Sequence, residues 1–187
     1  MTHIHIRRHH VTLSPDPSRV LVRPFIPSDI HRIVSVLGRC MAMSEEDVIR
    51  RMSEVQQEFD SRHLDIDSVL LIHYQRVQSH LQSLVPLTRE RQLLIGAMFS
   101  GEYSLESAAL FNPSIVAHPD QSGVPAGGLR FIMSLRATGE GHISSIEFRT
   151  GTITPEGHIA IDPVSRFVSA PEVVLDPQYE KERFTIK

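Results

Sequence analysis

Leu129-Arg-Phe-Ile-Met-Ser-Leu-Arg136-Ala-Thr-Gly-Glu-Gly-His142-Ile-Ser-Ser-Ile-Glu-Phe-Arg149-Thr-Gly151 is the stretch whose reading decides the fold. It reads as strand, glycine-rich turn, strand. Successive side chains of a strand point to opposite faces. Phe131, Met133 and Leu135 therefore share one side of the first strand, and Arg130, Ser134 and Arg136 the other. On the second strand Ile146 and Phe148 lie opposite Ser145, Glu147 and Arg149. Joined with the apolar sides together, the hairpin has one apolar and one polar face. The polar face then offers three arginines, a carboxylate and hydroxyls, a set suited to sugar hydroxyls or a phosphate. An ordinary solvated face with cross-strand ion pairs is the other reading, and the pattern leaves both open.

Working outward, further short β-like runs are expected at 114–117, 152–154 and 158–161, beside 129–135 and 143–148. Turn signals separate them: Pro119-Asp120, Ser122-Gly123, Gly127-Gly128 and Pro155-Glu156-Gly157. Such spacing predicts an antiparallel meander, as in a sandwich, a barrel or a propeller blade. A sheet of this kind with an open face and two open edges is a pairing liability, so either the helices cover it or more strands follow.

Upstream the period changes. Ser28 or Asp29 can cap a helix with Ile30, Ile33, Val34 and Leu37 on one stripe. Ser44-Glu-Glu-Asp47 starts another, with Val48, Met52, Val55 and Phe59 at helical spacing. A third follows Asp67 through Val69, Leu70, Ile72, His73, Val77, Leu81 and Leu84, closed by Pro86. Thr88 caps a fourth with Leu93, Leu94, Ala97 and Met98. The chain thus divides into an extended segment (1–27), a helical region (28–103), a β-meander (104–168) and a Pro-rich, then charged tail (169–187). The fold class is α+β.

Composition narrows the function classes. The 187 residues carry 41% hydrophobic and 22% charged residues and a net charge of −3, which gives no electrostatic case for nucleic acid or an anionic membrane. No apolar run is long enough for a membrane helix. The single cysteine, Cys40, fits a reducing, cytoplasmic setting and reads as a packed helix residue. His3, His5, His9 and His10 form a loose cluster that nothing completes, so no metal or other cofactor is expected. Glu140 and Glu147 are candidates for paired glycosidase carboxylates, and His142 for a ligand or base in the turn. Asn112 precedes Pro113, which holds it in an extended or turn conformation. Its amide can then present a donor and an acceptor to a sugar.

Ala109-Leu-Phe-Asn112-Pro-Ser, the strand ending Ser-Leu-Arg136-Ala, and Gly-His142-Ile-Ser-Ser-Ile-Glu-Phe-Arg149 together resemble the first blade of glycoside hydrolase family 130. The likeness runs from Glu106 to Gly151, and the helical region resembles that of the family's long members. The resemblance implies a five-bladed propeller of which this chain holds the first strands. It implies action on β-mannosides or related oligosaccharides by single-step inversion, with inorganic phosphate as co-substrate in the phosphorylases. Asn112 and Arg136 match positions lining the sugar pocket; His142, Ser145 and Arg149 lie in the matching stretch as further substrate-binding candidates. The family's Glu-Asp-X-Arg element, which carries the general acid, is not in this sequence, so no catalytic residue is assigned. The expectation is an N-terminal part of a carbohydrate-active enzyme without activity alone. A self-contained carbohydrate-binding or protein-interaction module is the alternative, and assembly into a homo-oligomer through the helical region stays open.

Overall fold

The computed structural model describes residues 8–81 and 85–169. In chain order these form β1 (Val20–Pro24), α1 (Ile30–Met41), α2 (Glu45–Phe59), α3 (Ile66–Val77), α4 (Arg89–Met98), β2 (Ser100–Ser104), β3 (Ala109–Ala117), β4 (Leu129–Thr138), β5 (Ser144–Ile153) and β6 (Ile159–Ile161). This is a mixed α+β chain with two antiparallel sheets, neither of them a closed barrel.

The helices begin where local chemistry starts them. Asp29 caps α1 by accepting from the His31 amide, Ser44 caps α2 through Asp47, Asp65 caps α3 through Ser68, and Thr88 caps α4 through Arg91. Each cap satisfies an amide that has no partner within its helix. The third helix starts earlier than the pattern predicts, because Asp65 caps it. It also ends earlier, passing into a 3-10 turn at Gln78–His80. The predicted Leu84 position lies outside the described residues.

Two apolar clusters meet on α4. Ile95 and Phe99 pack with Ile33, Leu37, Cys40 and Val77. Leu93 and Leu94 pack with Val48, Met52, Ile66 and Leu70. Ile30 and Val34, expected on the core stripe of α1, are half exposed at 52% and 50%; Cys40 takes the inward position instead. Gly96 lies so close to the Leu70 carbonyl that any side chain there would collide with backbone. That contact fixes how near α3 and α4 run. Arg91 is buried at the junction of α1 and α2. It donates to the Cys40 and Met43 carbonyls and pairs with Glu45, so one guanidinium closes a helix end and a helix start.

Strand β2 went unpredicted. It follows α4 directly and pairs along its length with β1, Val20 opposite Ser104 and Pro24 opposite Ser100. The extended segment and the end of the helical region are therefore joined by one ribbon.

The second sheet is a meander in the order β3-β4-β5-β6. The runs expected separately at 143–148 and 152–154 are one strand, β5. Pairing sets Leu135 opposite Glu147, Met133 opposite Arg149 and Arg136 opposite Ile146. This overturns the expected faces. Each strand alternates as predicted, but the two are joined one residue out of the assumed phase. The connection from Gly139 to Ile143 has its middle in a 3-10 turn in which Gly141 and His142 are left-handed, φ 62° and 58°. The strand begins at Ser144 rather than Ile143, and a slip of one residue moves every side chain to the other face. Glu147 and Arg149 accordingly sit on the inner face with Phe131, Met133 and Leu135. Ile146 and Phe148 lie on the outer face with Arg136, 69% and 65% exposed. The inner face is covered in part by the chain before β1, through Leu13.

The sheet's edges are blunted. β3 is long, but a bulge between Phe111 and Ser114 interrupts it, with Pro113 inside. At the far edge β6 spans only three residues. Proline, bulges and short strands are the usual devices that discourage further pairing at an edge.

Candidate functional site

The five sequence-chosen residues fall into two sets. Asn112, Arg136 and His142 lie at one end of the meander, where β3 begins, β4 ends and the turn leads into β5. Ser145 and Arg149 lie on the inner face.

At the first place, Phe111 pairs with Arg136 across β3 and β4. The Arg136 guanidinium lies over the Phe111 ring, 5.3 Å from its centroid. Its Nε and Nη2 both donate to Ser144 Oγ, at 3.1 and 2.9 Å. An exposed arginine is thereby held in one orientation by a ring below it and a hydroxyl beside it. Asn112 follows Phe111 within the bulge and has φ 53°, a left-handed conformation, so of the extended and turn alternatives expected before proline it is not the extended one. That region is uncommon for a residue with a side chain, and asparagine is among the few that visit it. The Asn112 side chain is exposed and makes no hydrogen bond among the described residues. His142 is exposed in the turn.

The second place is a ring of buried charge. Glu106 Oε1 lies 2.9 Å from Arg19 Nε and 2.5 Å from Arg149 Nη2. Glu147 Oε2 lies 3.2 Å from Arg19 Nη2 and 2.9 Å from Arg149 Nη1. The Asp16 amide adds a hydrogen bond to Glu106 Oε2 at 3.0 Å. All four side chains are at most 10% exposed, and Glu106 is fully buried. Two carboxylates and two guanidinia alternate, so the ring is electrically closed. Burial alone would lower the Arg149 pKa; its bonds to Glu147 and Glu106 outweigh that and raise it. Glu147 Oε1 and Ser145 Oγ are buried and have no hydrogen-bond partner within the described residues.

Arg149, expected on a polar outer face, is instead buried in this ring. Its guanidinium is committed to two carboxylates and clips the segment around Arg19 onto the sheet. Ser145 faces the same side. Glu147 is doubly neutralised and buried while Glu140 is solvated in the turn, so the two do not form a pair of carboxylates across one bond. Sequence reasoning missed Arg19, Glu106, Phe111 and Ser144. No motif marks Arg19 or Glu106; only once the β4–β5 connection sets Glu147 and Arg149 beside apolar residues do these buried charges demand partners of opposite sign.

The N-terminal histidines His3 and His5 lie outside the described residues. Among the described residues no group of three or more His, Cys, Asp or Glu is placed to hold a metal ion. No helix among them is long and apolar enough to cross a membrane. Cys40 is fully buried, and burial raises its thiol pKa, which makes it unreactive at neutral pH. No protein-family model matches the chain, and neither a curated protein nor a solved structure matches it at a significant level. The likeness to glycoside hydrolase family 130 therefore rests on the residues of this sequence.

Proposed function

We propose that this sequence is a part of a carbohydrate-active enzyme acting on β-mannosides, with Asn112 and Arg136 contributing to the sugar pocket. The observation that carries this reading is the left-handed Asn112 in a bulge beside the pinned Arg136. Backbone strain at an exposed polar residue, with no local bond to explain it, is a common mark of a site that presents that residue to a ligand. A guanidinium with an aromatic ring beneath it and a hydroxyl beside it, the ring one residue along the chain from an exposed amide, suits a pyranose, which offers hydroxyls at its rim. His142, at the same end, is a further contact candidate. Ser145 and Arg149 are withdrawn from the pocket and assigned to the scaffold.

The outer sheet face supports a larger assembly. Val116, Ile146 and Phe148 are 60%, 69% and 65% exposed on the face that also carries Arg136. Large apolar side chains left in solvent on one sheet face suit an interaction surface, and a neighbouring propeller blade would cover them. The blunted edges of β3 and β6 favour the second reading, a self-contained carbohydrate-binding module. In both readings the sequence holds no Glu-Asp-X-Arg element, so the chain by itself is expected not to turn over mannosides.

Calorimetric titration of the chain with mannose and β-mannobiose, with and without phosphate, tests the site. Weak binding that Arg136→Ala abolishes without lowering the melting temperature is expected. Equal affinity of the two proteins for sugar would remove Arg136 from the pocket. Turnover of a mannoside by the chain at an enzymatic rate would refute the claim of inactivity.

A further inference from the structure

Outside the sheet, a cavity of about 220 Å3 lies between α2, α3, α4 and the β1–β2 ribbon, walled by Val55, Phe59, Ile66, Leu70, Leu94 and Ala97. Its polar rim is already satisfied. Glu102 accepts from Arg62 Nε at 2.9 Å, Arg62 Nη2 at 3.2 Å and His63 Nε2 at 2.7 Å. Ser100 Oγ donates to the Gly96 carbonyl at 2.7 Å, which leaves it to accept from His73 Nδ1 at 2.6 Å. Away from Glu102 and Ser100 the walls carry only apolar side chains, so the buried part of a molecule in this cavity must be apolar. An apolar cavity of about 150 Å3 is enough to hold benzene; this one has room for a phenyl ring with a short alkyl extension.

Ile66 also walls a second, polar groove of about 480 Å3 that contains Asp60, Asp65, Asp67, His63 and Arg89. The two spaces lie on either side of Ile66, with His63 on the groove side and its partner Glu102 on the cavity side. In the groove three carboxylates face one guanidinium, and Arg89 is already paired with Asp67 at 3.2 Å. Asp60 has no ion pair among the described residues. The Ser68 side chain and amide bonded to Asp65 hold its carboxyl below the usual range, so it stays charged. Beside an apolar hole, the groove therefore offers excess negative charge.

We propose that the cavity and the groove form one binding site for a small cationic amphiphile, an aryl- or alkylamine. Its apolar end fills the space beside Leu70 and Leu94, and its ammonium lies among Asp60, Asp65 and Asp67. The assignment uses no residue of the meander, so it stands or falls apart from the carbohydrate reading. Three probes of one shape and different charge test it on the full chain: phenethylamine, 2-phenylethanol and phenylacetate, followed by titration calorimetry and by the methyl signals of Leu70 and Leu94. The amine should bind tightest, the alcohol about threefold more weakly and the carboxylate weakest. Salt should weaken the amine alone. Asp60→Asn should bring the amine to the level of the alcohol and leave the alcohol unchanged. Ala97→Leu, which fills the cavity, should weaken both at least tenfold. Should that variant not fold, Val55→Leu fills the same space. Undiminished amine binding by a folded, filled variant overturns the site. So do equal affinities for the three probes, or methyl signals that none of them moves at millimolar concentration.

Discussion

The helical region and the meander solve the same problem differently. In the helices the apolar stripes meet each other, and α4 is covered by two clusters on its two sides. In the meander the inner face mixes Phe131, Met133 and Leu135 with the charged pair Glu147 and Arg149, while apolar Ile146 and Phe148 face outward. The first region hides oil against oil. The second hides charge and leaves oil in solvent. A buried ionic ring adds little net stability over an apolar core, because desolvation offsets most of the attraction. It does make the docking of Arg19 and Glu106 specific, since any misplaced partner strands a charge. The helices are held by apolar packing, and the sheet by a charged ring that fixes where the segment around Arg19 docks.

The largest expected effect comes from breaking the ring. Arg149→Leu leaves Glu106 and Glu147 buried with one guanidinium between them, and should cost about 3–5 kcal/mol in urea unfolding. Replacing all four charges by apolar residues of similar volume should cost far less. If it costs as much as the single change, packing rather than charge holds the segment around Arg19. Next is the helical side. Gly96→Ala drives a methyl into the Leu70 carbonyl and should destabilise by about 1–3 kcal/mol. The same change at Gly38, where a methyl meets nothing within 4 Å, should stabilise by up to about 1 kcal/mol. Equal responses at the two glycines would break the account of tight α3–α4 packing.

The same contrast explains what was legible in the sequence. Helix starts depend on residues three apart, so Ser44 and Thr88 announced α2 and α4 before any tertiary contact was known. The core positions Val48, Met52, Leu93 and Leu94 followed from one period. The meander's strands were also legible, as was the parity within each. Their mutual phase was not, because it depends on how many residues the Gly139–Ile143 connection consumes, and two left-handed residues there are a backbone choice that composition does not reveal. That one residue put Arg149 and Ser145 on the inner face and Ile146 and Phe148 on the outer one. The partners of the ring were harder still. Arg19 and Glu106 are distant in sequence and carry no motif; only the demand of a buried charge for its opposite connects them.

A smaller effect should appear in the pH dependence of the helical region. Burial, with a lesser contribution from Arg76, lowers the pKa of His73 below its ordinary value of 6.5. Above that value both folded and unfolded chains hold the imidazole neutral, and His73 adds no pH dependence. Below it the unfolded chain takes up a proton that the folded chain refuses. Stability should therefore fall as pH drops from neutral, by at most about 1.4 kcal/mol per pH unit from this residue, until the pH passes the folded pKa. His73→Asn keeps a donor toward Ser100 and should flatten that part of the profile. An unchanged slope in the variant would assign the acid sensitivity to other groups.

The smallest effect on stability should separate scaffold from site most sharply. Asn112→Gly removes the side chain and suits a left-handed backbone, so the melting temperature should hold or rise slightly. If the strained asparagine serves the pocket, sugar affinity should fall with stability untouched. A substitution that leaves both unchanged would mean that the bulge is only an edge device, in the same role as Pro113. A substitution that lowers both would mean that the Asn112 amide holds the bulge together, and the strain would then need no ligand to explain it. Only the first pattern places Asn112 among residues whose task lies outside the fold.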